Sequence, residues 1–309
     1  MSDTSTPKVS VLLVTYNHEK YIREAMDSLL MQETNFDFEI VAADDHSLDA
    51  TRAIIDGYRT ENHSIRVLPS EPNLGITRNY QRGFKACRGE YVAVLEGDDY
   101  WTSPTKLKTM VEFLETHREC AFCFHRFLRR VEDSTQSSVH PPFEITTEFA
   151  LLTAAQLAKG NFVGNFSACV YRREVIERLD PSLFEMKVYD WMFNIAVAQE
   201  GMIGYVPVIM SVYRAHPSGV WSGKTLNEHK PELLELIDEY NKYLDFKFDA
   251  EFQFHKASLP GEVPRTMGGR PSMSRRLWHR VKSFVPIVLK DMVKNIYYRN
   301  GKSDQNHFG

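Results

Sequence analysis

Three acidic residues follow one apolar run in the stretch "YVAVLEGDDYW", residues 91–101. The run predicts a buried strand, and Glu96, Asp98 and Asp99 crowd at its end, where we expect Asp99 to be exposed. Neighbouring carboxylates repel one another unless a cation, a donor group or water compensates them. Mg²⁺ and Mn²⁺ typically bind one or two protein carboxylates and complete their coordination with phosphate and water. The cluster therefore favours a divalent metal that holds a diphosphate over a solvated turn in which Asp99 caps a helix.

The length and composition predict a globular protein with a substantial core. The 309 residues are 43% apolar and 25% charged, which suits one large α/β domain with an appendage, or two modest domains. Cys120 and Cys123 form a single CxxC inside an apolar run, so reduced, buried thiols in a cytosolic protein are favoured over a zinc site. The first eight residues lack the apolar segment of a signal peptide, and no uncharged apolar stretch of about 18 residues occurs. We therefore expect a cytoplasmic location without a membrane-spanning helix.

Apolar strands alternate with amphipathic helices along the first hundred residues. The strands read "VSVLLVTYN", "FEIVAADDHS", "IRVLPSEPNLG" and "EYVAVLEGDD". Such strands, apolar throughout and separated by helices, predict a mostly parallel, Rossmann-like sheet covered on both faces. Each strand ends in a polar cluster: residues 15–17, 44–45, 73–78 and 96–99. Because ligands bind at the carboxyl ends of strands in such sheets, the four clusters predict the position of the functional site.

The second half of the chain has a more mixed pattern. It predicts helices at residues 105–117, 149–159, 188–199 and 227–244, strands at 121–131, 167–173 and 203–216, and a polar loop at 134–144. The composition then divides the whole chain into four parts. These are an α/β domain over residues 1–225, a helical extension over 226–258, a linker over 259–271 and a basic tail over 272–309.

Four motifs occur in the order expected for one known family. "VSVLLVTYNHEKYIREAMDSLLMQ", "ADDHSLD", "NLGITRN" and "LEGDDYW" resemble the signatures of family 2 glycosyltransferases, and the resemblance covers roughly residues 8–222. It implies the GT-A fold, a nucleotide-sugar donor, a divalent metal and inversion at the anomeric carbon. We therefore expect an α/β GT-A domain followed by a C-terminal helical extension.

The resemblance assigns donor contacts to residues at the first three strand ends. It places three residues in the base pocket: Thr15, Tyr16 and Glu19. Asp45, with Asp44 beside it, falls where a carboxylate accepts a hydrogen bond from the pyrimidine imide, and the alternative for both acids is helix capping. Arg78 falls where a basic residue meets the donor phosphates, with a plain surface residue as the alternative.

The same resemblance assigns the metal to the fourth strand end. Asp98 and Asp99 match the acids that serve the ribose and the metal, whereas Glu96 departs from the more usual Asp of the first motif position. In "VYRAHPSGVWSG", residues 212–223, His216 would complete the coordination of Mn²⁺ or Mg²⁺ or touch the diphosphate. An ordinary loop histidine is the alternative.

The loop and one further acid complete the predicted site. Arg214 would steady the leaving group, and the glycines around Trp221 would let the loop close over the donor. Asp190 is the candidate for the base that deprotonates the acceptor hydroxyl, because Tyr189 and Trp191 beside it suit a sugar face. The alternative for Asp190 is an acid favoured by the dipole at a helix N-terminus.

Charge is unevenly distributed along the chain. Between Arg265 and Lys302 there are ten Lys or Arg and one acid, so this segment carries +9 and the remainder −13. Apolar residues recur in it every three or four positions, which predicts an amphipathic helix kinked at Pro286. A helix packed on its own domain or on a dimer partner is the alternative, but Trp278 and Phe284 among basic residues favour a helix in the plane of an anionic membrane. A nucleic-acid role is disfavoured, because the body is acidic.

Together these patterns predict an inverting, metal-dependent glycosyltransferase at the inner face of the cell membrane. It would move a sugar from a UDP- or dTDP-sugar to a hydroxyl of a lipid-linked cell-surface glycan. The alternative is a nucleotide-sugar-binding scaffold protein without turnover, and the acids Asp98, Asp99 and Asp190 argue against it. A nucleotidyltransferase would need a Gly-rich, Lys-containing loop after the first strand, and "TYNHEKY" has no such glycines.

Overall fold

The first hundred residues form the alternating strands and helices that the sequence predicts. The computed structural model describes residues 6–61, 64–69 and 72–259. Its first strands are β1 Val9–Thr15, β2 Phe38–Asp44, β3 Ile65–Val67 and β4 Tyr91–Glu96. The helices between them are α1 Ile22–Leu30, α2 Thr51–Glu61 and α3 Ile76–Ala86. The four strands pair in parallel in the order β3-β2-β1-β4, and every residue of β1 is buried because helices cover both faces.

Within the described residues, the second half extends this sheet to ten strands. The further strands are β5 Tyr100–Trp101, β6 Cys120–Val131, β7 Ser137–His140, β8 Ala150–Leu152, β9 Cys169–Arg172 and β10 Met202–Ala215. The further helices are α4 Lys106–Thr116, α5 Ala154–Ala158, α6 Arg173–Arg178, α7 Asp190–Val197, α8 Leu226–Tyr243 and α9 Asp249–Ser258, with short 3-10 segments at Phe166–Ala168 and Pro181–Glu185. Strand β9 lies between β4 and β6 and is antiparallel to both. Strand β10 is parallel to β6, so the sheet is mixed.

Two segments differ from the sequence prediction. The predicted helix at 149–159 is wrong in its first part, where β8 pairs with β10. The helix begins only after Thr153, whose side chain forms a capping box with Gln156. The predicted polar loop at 134–144 contains β7, which pairs antiparallel with β6. Strand β7 is polar in sequence, and β8 has only three residues, so neither has the long apolar run that identified the other strands.

Two apolar clusters pack on opposite faces of the sheet. Successive residues of β1 point alternately into one cluster or the other. Helices α1, α2 and α4 cover one face, and α3, α5, α7, α8 and α9 contribute to the other. Ile237, Tyr240 and Phe252 are buried in that second cluster, so helices α8 and α9 share the core of the sheet domain.

The cysteines lie in this core. All four are buried free thiols: Cys87, Cys120, Cys123 and Cys169. Within the described ranges, every helix is too short or too polar to cross a bilayer. The predicted linker, apart from Leu259, and the basic tail lie outside the described residues.

Candidate active site

The carboxyl ends of β1, β2 and β4 meet at one edge of the sheet. The strand register places Thr15 beside Asp44 and Val14 beside Glu96. A cavity of about 720 Å³ opens at this edge. Eight of the predicted site residues line it: Thr15, Tyr16, Asp45, Asp98, Tyr189, Asp190, Trp191 and Trp221. The polar clusters at the strand ends therefore do converge on one cavity, as the parallel arrangement requires.

The predicted base pocket is formed by the ends of β1 and β2. Thr15 is buried and, among the described residues, its Oγ1 has no hydrogen-bond partner. Tyr16 is 41% exposed at the rim of the cavity. The Asp45 carboxylate accepts hydrogen bonds from the backbone N–H of Leu74 at 2.9 Å and of Gly75 at 3.0 Å. Asp45 therefore holds the loop before α3 in place and also lines the cavity.

Three residues that were predicted to contact the nucleotide-sugar donor do not line the cavity. The Asp44 carboxylate accepts from the backbone N–H and the hydroxyl of Ser47 in the loop that leads into α2, whereas Asp49 accepts from the backbone N–H of Thr51 at the start of the helix. The Glu19 carboxylate accepts from the backbone N–H of Ala50 at 3.0 Å. Arg78 is exposed and donates to Gln81 at 3.0 Å. Asp44 and Glu19 thus position the start of α2, and Asp45 is the acid of this strand end that lines the cavity.

Asp98 and His216 form a close pair at the cavity wall. The Asp98 Oδ2 lies 3.0 Å from the His216 Nε2, and the His216 Nδ1 lies 2.9 Å from the hydroxyl of Ser218. Burial acts to raise the pKa of Asp98, but the hydrogen bond with His216 and the neighbouring His18 and His216 outweigh it and lower that pKa below its usual value. The pair therefore presents an ionised carboxylate beside an oriented imidazole.

His18 is a site residue that the sequence analysis missed. Its Nε2 lies 3.7 Å from the Asp98 Oδ2, and its buried Nδ1 has no hydrogen-bond partner within the described part of the chain. Burial lowers the pKa of His18, although the charge of Asp98 opposes the shift. Its position directly after the first strand, in "TYNHE", was the signal that could have identified it.

The donor set at Asp98 suits a metal that a diphosphate helps to bind. Among the described residues, no group of three or more His, Cys, Asp or Glu side chains is arranged as a metal site. Mg²⁺ and Mn²⁺ nevertheless need only one or two protein ligands when phosphate and water supply the others. Asp98 and His216 provide one oxygen and one nitrogen side by side, and the His18 Nε2 lies 3.7 Å from the same Asp98 oxygen. These residues fit such an ion.

Asp99 has a different environment from the one expected. It is 0% exposed. Its Oδ2 accepts from the Asn165 amide at 2.8 Å and the Ser167 hydroxyl at 2.7 Å, and its Oδ1 accepts from the backbone N–H of Arg214 at 3.0 Å. Burial, followed by the charge of Asp98, raises the pKa of Asp99 to about 7. The expectation of an exposed Asp99 is wrong, and its oxygens bind the protein rather than face the cavity.

Arg214 holds the same loop from outside the cavity. Its guanidinium donates to the backbone carbonyl of Asp98 at 2.7 Å and also bonds to Glu24. The guanidinium lies 4.5 Å from the centre of the Tyr100 ring. Arg214 is absent from the cavity lining. It therefore contacts the acidic loop of residues 96–99 and not the space where a leaving group would bind.

Glu96 lines the cavity as a carboxyl with a raised pKa. The Tyr80 hydroxyl donates to its Oε1 at 2.8 Å. Burial, followed by the charges of Asp98 and Asp99, raises the pKa of Glu96 well above the ordinary value. The three acids of "EGDD" therefore do not carry three full negative charges at neutral pH.

Asp190 is a further acid that lines the cavity. It is the first residue of α7, and its Oδ2 accepts from the Asn161 amide at 2.8 Å. Burial raises the pKa of Asp190 even though this hydrogen bond opposes the shift. A carboxylate with a raised pKa is a stronger base, so this environment suits proton abstraction.

The aromatic residues around Asp190 have two different roles. The rings of Tyr189 and Trp221 pack edge to face with centroids 5.1 Å apart at the cavity. Trp191 is 5% exposed, and its indole N–H donates to the carbonyl of Leu157 at 2.8 Å. Tyr189 and Trp221 thus form an aromatic wall, whereas most of Trp191 belongs to the core.

The family of the chain follows from comparison with known proteins. The family model "Glycosyl transferase family 2" matches residues 10–180, which include β1 to β4, the acidic loop and β9. The chain therefore belongs to glycosyl transferase family 2. The predicted family is confirmed.

Two relatives illustrate the similarity to known proteins. An uncharacterized protein of Mycobacterium tuberculosis is 36% identical over 223 residues, which are 72% of this chain and 63% of that protein. The chain thus spans less than two thirds of the length of this relative. The poly(ribitol-phosphate) beta-N-acetylglucosaminyltransferase TarS of Staphylococcus aureus is 38% identical over 114 residues, 36% of this chain and 19% of TarS.

Solved structures confirm the GT-A fold. The structure of S. aureus TarS residues 1–349 with UDP-GlcNAc covers 80% of this chain and 70% of its own, with a TM-score of 0.61 and 21% identity. The mannosyltransferase PcManGT from Pyrobaculum calidifontis, in complex with GDP-Man and Mn²⁺, covers 96% of this chain and 85% of its own, with a TM-score of 0.59 and 15% identity.

The two neighbouring acids should respond differently to substitution. We expect Asp99→Asn to lower the free energy of unfolding by about 1–3 kcal/mol, because the new amide N–H₂ would face the donors of Asn165 or Arg214. Asp98→Asn should change it by less than about 0.5 kcal/mol, since an amide oxygen can still accept from His216. Urea denaturation at about pH 8, without nucleotide or metal, measures both. Equal stability of the two variants would contradict the assignment of Asp99 to the core.

Proposed function

We propose that the chain is an inverting glycosyltransferase that moves a sugar from a nucleotide-diphosphate sugar to an acceptor hydroxyl. The observation that carries the proposal is that Asp98, whose carboxylate contacts His216, and Asp190 line the same cavity. Asp98 would serve the leaving diphosphate, and Asp190 would serve the attacking hydroxyl. The chain's membership of glycosyl transferase family 2 supports this pairing of roles.

The donor that we propose is a UDP- or dTDP-sugar. Asp45 supports a uracil or thymine base, because its carboxylate can accept a hydrogen bond from the N3–H of either base. The rim ring of Tyr16 and the buried hydroxyl of Thr15 lie at the same end of the cavity. TarS was solved with UDP-GlcNAc, which also favours a uridine nucleotide.

The leaving group would be bound through a divalent cation. Asp98 and His216, with His18 behind them, would hold Mn²⁺ or Mg²⁺ together with the phosphate oxygens. When bound, the ion supplies positive charge to the diphosphate as it departs. The fold neighbour PcManGT was solved with Mn²⁺. Arg214 would keep the Asp98 backbone in place through its hydrogen bond to the carbonyl.

The acceptor proton would pass to Asp190. In a single displacement the acceptor oxygen attacks the anomeric carbon from the face opposite the diphosphate, the bond to the leaving oxygen breaks, and the configuration inverts. Asp190 takes the hydroxyl proton, which its raised pKa favours. Asn161 orients the carboxylate. The loop residues Gly219 to Trp221 line the cavity and would exclude water from the donor.

The acceptor that we propose is a growing cell-surface polysaccharide at the inner face of the cell membrane. The name of TarS specifies a poly(ribitol-phosphate) acceptor for that relative. The +9 segment between Arg265 and Lys302 would bring this chain to an anionic surface. A scaffold protein without turnover is the alternative, and measurable metal-dependent donor hydrolysis would exclude it.

A donor screen tests the proposed function. We expect UDP- or dTDP-sugars, but not GDP-sugars, to raise the melting temperature in the presence of Mn²⁺, because binding at 100 times Kd adds about 2.7 kcal/mol of stability. EDTA should abolish the shift, and so should Asp98→Asn, while Asp27→Asn on α1 serves as a surface control. A lack of stabilisation by all three donor classes would overturn the proposal, and an unchanged shift in EDTA would overturn the role of the metal.

The base is tested by substitution and by pH. Asp190→Asn should leave donor affinity unchanged and reduce transfer about 100-fold or more, since general-base catalysis contributes on that scale. For the parent protein, kcat/KM should fall as the pH decreases through the pKa of Asp190. The midpoint of this fall should lie at a pH above the ordinary Asp pKa of about 3.9. Asp180→Asn, a helix-capping acid in the neighbouring segment, is the control. Transfer within a few-fold of the parent would place the base elsewhere.

The membrane role of the tail is tested by deletion. Removing residues 269–309 should abolish sedimentation with anionic vesicles and leave donor binding intact. Each basic residue near an anionic surface contributes about 1 kcal/mol, and salt screens that contribution, so vesicle binding of the full chain should weaken as salt rises. Neutral vesicles are the control. Loss of donor binding on deletion would show that the tail belongs to the folded domain.

A further inference from the structure

A second cavity adjoins the first on the side of Asp190. Its volume is about 260 Å³, and it shares Gly164 and Tyr213 with the larger cavity. We call this second space the anion cavity. The lining residues used in the argument are Phe127, Arg129, Ser138, His140, Gly164 and Tyr213. Apart from Gly164 and Tyr213, these residues lie outside the lining of the larger cavity.

Strand pairing places these side chains on one face of the sheet. In the β6–β7 ladder, Phe127 pairs with His140 and Arg129 pairs with Ser138. In the β6–β10 ladder, Arg129 pairs with Tyr213. Directly paired residues point to the same side, and so do residues two apart on a strand. The cavity is therefore built by regular sheet geometry.

Arg129 is the charged group of the anion cavity. It is only partly exposed, and within the described residues its guanidinium makes no hydrogen bond and no ion pair. The hydroxyl of Ser138, its cross-strand partner, is likewise without a partner there. A guanidinium binds oxyanions through charge-assisted, often bidentate hydrogen bonds, so Arg129 and Ser138 offer donors with no protein acceptor.

His140 contributes a neutral wall to this cavity. Its Nε2 lies 2.9 Å from the carbonyl of Phe162, which fixes the N–H on that nitrogen. Burial lowers the pKa of His140 to about 4, and its ring packs 4.9 Å from the ring of Phe127. The positive charge of the cavity therefore comes from Arg129.

The boundary between the two cavities is linked to the proposed base. The backbone N–H of Gly164 donates to the Asn161 Oδ1 at 2.9 Å, and the Asn161 amide donates to Asp190 at 2.8 Å. Gly164 has a φ of +70°, and a Cβ there would lie 2.5 Å from the His140 Nε2. One short turn thus separates Asp190 from the anion cavity, and only glycine fits its closest point.

We propose that the anion cavity is an acceptor subsite that binds an oxyanion, the phosphate or carboxylate of a charged acceptor chain, through Arg129 and Ser138. This inference rests on the proposed glycosyltransferase function and specifies the class of its acceptor. If Arg129 binds an anionic group of the acceptor chain, the adjacent unit of that chain can extend past Gly164 and bring its hydroxyl towards Asp190. The charge thereby selects the acceptor and orients its hydroxyl at the base.

The experiment is an NMR titration of the full chain at constant ionic strength. Glycerol 3-phosphate and glucuronate are the anionic probes, and glycerol and glucose are their neutral counterparts. We expect the amide signals of Ser138, Val139 and Gly164 to shift with an anionic probe and not with its neutral counterpart. The probe that binds more tightly distinguishes a phosphate from a carboxylate.

Two neighbouring arginines provide the matched variants. Arg129→Gln should weaken anion binding about tenfold or more, because it removes the charge-assisted hydrogen bonds. Arg130→Gln removes the same charge from the adjacent, exposed residue on the opposite face of β6 and should retain binding. Both variants should keep the parent's donor-induced thermal shift, so loss of the acceptor site is distinguished from loss of the donor site.

Three outcomes would overturn the inference. Equal weakening by both variants would mean that net charge alone attracts the probe, and shifts confined to Glu96 and Asp98 would place the anion at the donor site. If Arg129-dependent binding occurs but no nucleotide sugar stabilises the protein in the donor screen, the cavity binds anions and its assignment to an acceptor is wrong.

Discussion

The buried carboxylate of Asp99 joins the segments that form the walls of the main cavity. Its oxygens accept from Asn165, from Ser167 and from the backbone of Arg214. A buried charge is strongly unfavourable unless donors compensate it, and here three donors from two distant parts of the chain offset part of the effect of burial. The end of β4, the turn before β9 and the end of β10 are thus fixed relative to one another. Asp98 and His216 lie on two of these segments, so their contact depends on this interaction.

The neighbouring acids divide between core and cavity because the backbone turns sharply after β4. The N–H of Asp99 donates to the carbonyl of Glu96 at 2.9 Å. This turn prevents the side chains of Glu96, Asp98 and Asp99 from all pointing in the same direction. Glu96 and Asp99 have raised pKa values, whereas that of Asp98 is lowered. The repulsion inherent in this sequence is therefore relieved mainly by unequal ionisation, which leaves one strong carboxylate at the position where a cation would bind.

The sequence predicted the features of the fold that depend on residues close together in the chain. The apolar strands β1 to β4, their parallel order and the convergence of their polar ends all follow from residues that are adjacent in the chain. The environment of Asp99 does not, because its partners Asn165 and Ser167 lie 66 and 68 residues away in sequence. The same limit applies to Arg214, whose guanidinium reaches Glu24 across 190 residues. Family motifs predicted the acids of the site, and tertiary contacts decided which of them line the cavity.

Strand β9 has a consequence for the order in which the protein can fold during synthesis. It pairs with β4 about 80 residues upstream, between Tyr91 and Arg172, and with β6 on its other side. Until Cys169–Arg172 leaves the ribosome, one edge of β4 is unpaired, and the exposed strand is the apolar run of residues 91–95. Unpaired apolar edges template aggregation. The nascent N-terminal half therefore cannot become a closed unit early, and protection of its β4 edge has to wait for the segment that also supplies Asn165 and Ser167 to Asp99.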